Sequence, residues 1–157
     1  MRWEIKSFQE LSVVELYELM KLRLEIFVVE QNCSYQDADG KDLKSFHLMG
    51  YSNDGVLVAY CRILPAGISY AEVSIGRVVS SSLVRGSGVG KQLMEEALKC
   101  IQQKFVNSSV RISAQSYLLK FYEGFGFRTV GKEYLEDDIP HMEMILKKEK
   151  LKIGISV

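Results

Sequence analysis

The chain has 157 residues, 47% hydrophobic and 25% charged, with Lys plus Arg and Asp plus Glu equal at 20 each. That is enough for one domain with a core of its own, and the composition is not that of a disordered segment. Zero formal charge argues against the broad basic surface of a general nucleic-acid binder, and no run approaches the ~18 apolar residues of a membrane span. Met1-Arg2-Trp3-Glu4 leads into no secretory apolar segment. The cysteines Cys33, Cys61 and Cys100 are odd in number and fit no zinc or CxxC spacing. They read as reduced thiols of a cytoplasmic protein, with no metal site.

Ser12 with Glu15 forms a capping box, and Leu16, Leu19, Met20, Ile26 and Phe27 follow helical spacing, so a first helix is expected over residues 13–27. Residues 32–44 are polar and read as a solvated connector. Asp37-x-Asp39-Gly40 lacks the glutamate that a calcium loop needs. Two apolar runs around Asn53-Asp54-Gly55 predict a hairpin, and residues 72–80 predict a central strand. A second helix is expected up to about Lys104, from Val89, Leu93, Ala97, Leu98 and Ile101. A strand over 109–115, a short helix around Phe121 and Tyr122, and strands over 127–130 and 141–146 follow. The order implies an α/β (α+β) three-layer domain around one mixed central sheet, spanning 1–150, with residues 151–157 as a tail, loose or forming an added strand.

The most informative segment is Val84-Arg85-Gly86-Ser87-Gly88-Val89-Gly90-Lys91. Alternating glycines between a strand and a helix expose backbone N–H groups at a helix N-terminus, a cradle for phosphate. A P-loop requires Gly where Arg85 stands and Ser or Thr where Gln92 stands. A dinucleotide fingerprint requires Gly where Lys91 stands. Both fail.

Arg85-x-x-Gly88-x-Gly90 instead resembles the coenzyme A loop of the GNAT acyltransferase superfamily. Gln115-x-x-Leu118-x-x-Phe121-Tyr122-Glu123-x-x-Gly126-Phe127 resembles that family's later motif, with Gln115 where Asn is more usual. Residues 23–33 with Tyr35, Gln36 and Asp37, and Ile139-Pro140-His141-Met142-x-Met144, resemble its ElaA-type branch. The resemblance implies a sheet with a splayed strand pair flanked by helices and acetyl-CoA as co-substrate. Pyrophosphate would lie on Arg85, Gly86, Ser87, Gly88, Val89, Gly90 and Lys91. Pantetheine would run along Val78, Val79 and Ser80, with Gln115 and Phe121 completing the cofactor side. The amine acceptor is a small molecule or a peptide, and a homodimer is allowed.

Transfer from a thioester to an amine needs a neutral amine, an oxyanion donor and a proton for the leaving thiolate. The resemblance makes Tyr122 the general acid; otherwise it is a core aromatic. The strand position where many members carry a basic glutamate is Ser74 here. The base is therefore sought at Glu72, Glu30 or His141, or in a water chain. Glu30, Gln31 and His141 are expected on the acceptor side, and Glu30 is expected to pair with Arg23 or Arg77 if it is structural. The alternative to an N-acetyltransferase is a non-catalytic acyl-CoA-binding regulatory module.

Overall fold

Ser12 caps the first helix as its spacing predicts. The Ser12 hydroxyl accepts from the Glu15 N–H at 3.0 Å, and the Glu15 carboxylate accepts from the Ser12 N–H at 2.8 Å. In the computed structural model, which describes residues 1–153, helix α1 covers Val13–Leu24. It runs on as a π-helical turn over Glu25–Glu30, past the expected end at residue 27. Such turns recur at functional sites, and this one carries Ile26 to the core and Glu30 to the surface.

Seven strands form one mixed sheet: β1 (Arg2–Ser7), β2 (Phe46–Tyr51), β3 (Leu57–Leu64), β4 (Val73–Ser80), β5 (Val110–Gln115), β6 (Arg128–Glu136) and β7 (Ile139–Leu146). Their order is β1-β2-β3-β4-β5-β7-β6, and only β4 with β5 runs parallel. Helix α2 (Val89–Lys104) packs Leu93, Met94, Ala97 and Ile101 against Cys61, Ile63, Ile75 and Ile112 on one face. Helix α1 packs Leu19 and Leu22 against Met49, Tyr60 and Val79 on the other. Because successive strand residues face opposite ways, β3 serves both cores with one run of buried residues. The three-layer expectation holds. Helix α3 (Leu119–Glu123) is short, and helix α4 (Lys148–Ile153) follows β7.

Strand β1 closes the sheet edge against β2, an element the sequence reading does not include. Two expectations are corrected. The strand expected over 127–130 continues through Glu136, with a register break between Val130 and Tyr134. The start of the expected tail is helix α4, because Leu151 is buried against the α2 core. Residues 154–157 lie outside the described residues. Among the described residues, no helix is long and apolar enough to cross a membrane.

Trp3 explains Gly50. The two are direct partners across β1 and β2, and a Cβ on Gly50 would stand 2.4 Å from Trp3 Cζ3. Gly50→Ala is therefore expected to displace the chain's one tryptophan and to cost about 1–3 kcal/mol, as overpacking does. Urea melts read by tryptophan emission check this. An unchanged midpoint and spectrum would show that the indole ring does not hold this place.

Candidate active site

Strands β4 and β5 pair at only two positions, Val73 with Val110 and Ser74 with Arg111. Beyond them the strands diverge, so the rest of β4 has no strand on that side. On its other side β4 pairs with β3 across a bulge. Tyr60 faces Val79 and Arg62 faces Gly76, which leaves one extra residue in β4. Arg77 takes up the excess at φ +52°, a left-handed conformation uncommon for a side chain other than glycine. The fork opens into a cavity of about 800 Å³, within the size range of small-molecule sites.

At one end of the fork lies the glycine loop. Gly86 and Gly88 adopt φ +78° and +86°, where an L side chain is strained, so glycine is required at both. Gly88 is the N-cap of α2, and the first helical N–H to find a carbonyl is that of Gln92, bonded to Gly88 O at 3.1 Å. The N–H groups of Val89, Gly90 and Lys91 therefore remain available at the positive end of the helix. Gly90 lines the cavity beside Phe121, whose Cζ would lie 3.9 Å from a Cβ at Gly90. Arg85 is held by Glu30, with Nη2 to Oε2 at 3.0 Å; this hydrogen bond raises the guanidinium pKa further. These features, open N–H groups, a glycine track and an exposed cation, suit a pyrophosphate.

Behind the fork is a layer of buried charge. Arg23 is 0% exposed and bonds Asp37 Oδ2 at 2.9 Å, Asp42 Oδ1 at 2.8 Å and the Asp37 carbonyl at 3.1 Å. Arg62 binds Asp39 and Asp42, while Arg77 Nε lies 2.9 Å from Asp37 Oδ1. Burial would raise the carboxyl pKa values of Asp39 and Asp42, but hydrogen bonds from Arg62 and Arg23 outweigh it and hold both below the usual carboxylate range. Tyr35 donates to Asp37 at 2.7 Å and lies under the Arg77 guanidinium, 5.5 Å from its ring centre. The segment read as a solvated connector is exposed along most of its length but turns Asp37 and Asp42 inward, where they brace the β4 bulge. Its aspartates have the composition of a loop, and only the arginines of α1, β3 and β4 reveal them as counter-ions.

Tyr122 is 6% exposed and lines the cavity. Its ring sits edge-on to Phe121 at 5.1 Å and to Phe127 at 6.1 Å. Burial pushes the phenol pKa well above its ordinary value, so the hydroxyl keeps its proton at neutral pH. His141 also lines the cavity. It pairs in register with Gln115, and its Nδ1 lies 2.6 Å from the Ile139 carbonyl.

The structure brings Glu30, Gln31, Val78, Val79, Ser80, Arg85, Gly90, Gln115, Phe121, Tyr122 and His141 to one cavity. Gly86, Ser87, Gly88 and Lys91 stand outside its lining in the loop and first helical turn. The Val89 side chain turns into the core, which leaves its backbone as the part able to meet a ligand. Glu72 precedes β4, outside the cavity lining, and its carboxylate bonds Arg111 Nε at 3.0 Å, which lowers its pKa. Glu30 pairs with Arg85, not with Arg23 or Arg77. Tyr70, Ser113 and Glu136 line the cavity too. Tyr70 and Ser113 carry no signal in the sequence, because they arrive through strand register rather than through a motif. Among the described residues, no three His, Cys, Asp or Glu are grouped to hold a metal ion.

A forked sheet with a glycine loop at its mouth defines an acyl-CoA transferase fold, and the acetyltransferase (GNAT) domain family matches residues 23–148. The chain belongs to the GNAT superfamily, in its ElaA-type branch. Protein ElaA of Escherichia coli is 46% identical over 144 residues, covering 90% of this chain and 94% of that protein. The ElaA crystal structure superposes with TM-score 0.85 at 45% identity, over 92% of this chain and 99% of that one. An acyl-CoA N-acyltransferase from Pseudomonas aeruginosa superposes with TM-score 0.87 at 46% identity, with the same coverage. A UPF0039 protein of Schizosaccharomyces pombe is 43% identical over 143 residues, 90% of this chain and 94% of that protein.

Proposed function

We propose that the protein is an acetyl-CoA-dependent N-acetyltransferase that passes the acetyl group directly to a primary amine of a small molecule or peptide. The observation that carries this reading is the fork itself. One cavity joins the unpaired stretch of β4, the open N-terminus of α2 and the buried hydroxyl of Tyr122. In this reading residues 85–91 hold the pyrophosphate, with Arg85 moving from Glu30 to the phosphates. Pantetheine extends along Val78, Val79 and Ser80, flanked by Gln115 and Phe121. The amine attacks the thioester carbonyl carbon, and Tyr122 gives its proton to the leaving sulfur. A relative named as an acyl-CoA N-acyltransferase, 46% identical over most of both chains, supports the donor class.

Calorimetric titration with acetyl-CoA, with ATP and NAD as controls, followed by an amine screen for thiol release, tests the reading. Micromolar binding of acetyl-CoA alone, with thiol released in the presence of an amine, is the expected result. Binding without thiol release for any amine would favour a non-catalytic acyl-CoA module. Gly88→Val is expected to weaken acetyl-CoA binding by about 100-fold, roughly 2.7 kcal/mol, because a β-branched residue is strained at φ +86°. A Cβ there meets nothing within 4 Å, so the substitution brings strain without a Cβ clash. Unchanged affinity in the folded variant would remove the loop from the site.

A further inference from the structure

The reading above assigns no destination to the amine's proton: Glu72 lies outside the cavity lining, and Glu30 stands beside the glycine loop at the cavity mouth. His141 supplies one. It is 7% exposed and lines the cavity that holds Tyr122. Its Nδ1 faces the Ile139 carbonyl at 2.6 Å, an acceptor that holds the ring hydrogen on Nδ1 in the neutral imidazole. Nε2 is then the nitrogen with a free lone pair, and it lies 3.3 Å from Glu136 Oε2. The Tyr134 ring stacks on the imidazole at 6.0 Å and 26°, fixing its plane. The Glu136 side chain is 55% exposed, so the pair connects a buried ring to bulk water.

Every element around the ring fits this role. Gln115 lies opposite His141 on β5 and is uncharged. Ser113, also on β5, bonds the Tyr134 hydroxyl and lies 3.5 Å from Glu136 Oε2. Asp137 adds a second carboxylate at the cavity wall, where its carbonyl meets Cys33 Sγ at 3.8 Å. Arg111 and Glu143 offset each other at 2.8 Å. The charged groups named beside His141 are therefore carboxylates, with Arg111 offset by Glu143.

We infer that His141, positioned by the Ile139 carbonyl, is the general base of the transfer: its Nε2 takes a proton from the acceptor ammonium and releases it to water once the amide has formed. This rests on the N-acetyl-transfer reading. The ammonium loses one proton to Nε2 and becomes a neutral amine. Its lone pair forms the C–N bond to the thioester carbon, and the C–S bond breaks with its electron pair on sulfur. Tyr122 protonates that sulfur, and the second amine proton restores the Tyr122 hydroxyl. The sum is acetyl-CoA plus ammonium giving amide, free thiol and one proton released. The Glu136 carboxylate, 3.3 Å from Nε2, offers a counter-charge to the imidazolium so formed.

The test is the pH profile of kcat/KM for wild type, His141→Gln and Glu136→Gln, with acetyl-CoA affinity measured on each. Gln at 141 keeps an N–H for the Ile139 carbonyl, and retained acetyl-CoA affinity reports an intact fork. The expected result for His141→Gln is a loss of about 100-fold at neutral pH. That loss shrinks as pH rises toward the amine's own pKa, where neutral amine no longer needs a base. Glu136→Gln is expected to lower kcat at unchanged acetyl-CoA affinity, because the imidazolium formed during transfer loses its counter-charge. An unchanged kcat would remove Glu136 from the transfer. Wild-type rate and profile in His141→Gln would overturn the assignment while leaving the N-acetyltransferase reading intact. Acetyl-CoA binding without thiol release by wild type with any amine would overturn both.

Discussion

Tyr122→Phe is expected to lower kcat by about 100-fold or more, the usual worth of a positioned proton donor, while acetyl-CoA affinity stays within about twofold. The substitution removes one oxygen and leaves the ring, so the edge-on packing against Phe121 and Phe127 survives. Burial disfavours the phenolate, so the hydroxyl can give its proton to sulfur only as the amine proton replaces it. Its contribution arises when the thiolate forms, which makes this a transition-state effect: kcat and kcat/KM fall together. Single-turnover acetyl transfer measured by quench flow keeps product release out of the rate. Undiminished single-turnover transfer in Tyr122→Phe would return this residue to the aromatic core.

Arg23→Leu is the second substitution with a large expected effect, about 3–5 kcal/mol of stability, the range for breaking a buried ion pair from one side. The leucine fits the space but strands Asp37 and Asp42, which are 2% and 7% exposed and each lose a charge-assisted hydrogen bond. Arg62 and Arg77 still face them, which tempers the loss without removing it. Urea unfolding at constant pH measures the effect. The triple replacement Arg23→Leu, Asp37→Asn, Asp42→Asn is expected to recover part of it, since neutral amides no longer need the guanidinium. A loss below about 1 kcal/mol for Arg23→Leu, the scale of a surface pair, would show that this layer is wetter than its burial implies. The same variant is expected to weaken acetyl-CoA binding, because Asp37 also anchors Arg77 at the bulge of β4.

What could be read before the fold was known follows a physical division. The capping box at Ser12, the Asp54-Gly55 turn and the glycines at 86, 88 and 90 are local devices, whose cause lies within a few residues of the chain. Each was legible, and so was the placement of Tyr122 after Gln115. Strand β1 escaped notice because its partly buried residues alternate weakly and its pairing with β2 spans some 40 residues of chain, from Ser7 to Phe46. The buried aspartates were invisible for a related reason. Asp37 and Asp42 look like any polar loop until Arg23, 14 and 19 residues earlier, turns inward from the helix to meet them. Glu72 was drawn into the site by strand alternation, which gives the face of a strand but not how far along it the cavity reaches.

The fork in the sheet has a consequence for solubility. A strand edge with unpaired amides invites pairing by other chains, and here such an edge lies inside the domain. Two features protect it. The divergence closes at Val73 and Val110, so an intruding strand must enter end-on. The bulge at Arg77 shifts the ladder by one residue, so a regular strand entering there cannot keep hydrogen-bond register past it. A short ligand with widely spaced amides tolerates that shift, whereas a polypeptide does not. The irregularity that shapes the donor site thereby also guards the chain against self-association through its own sheet.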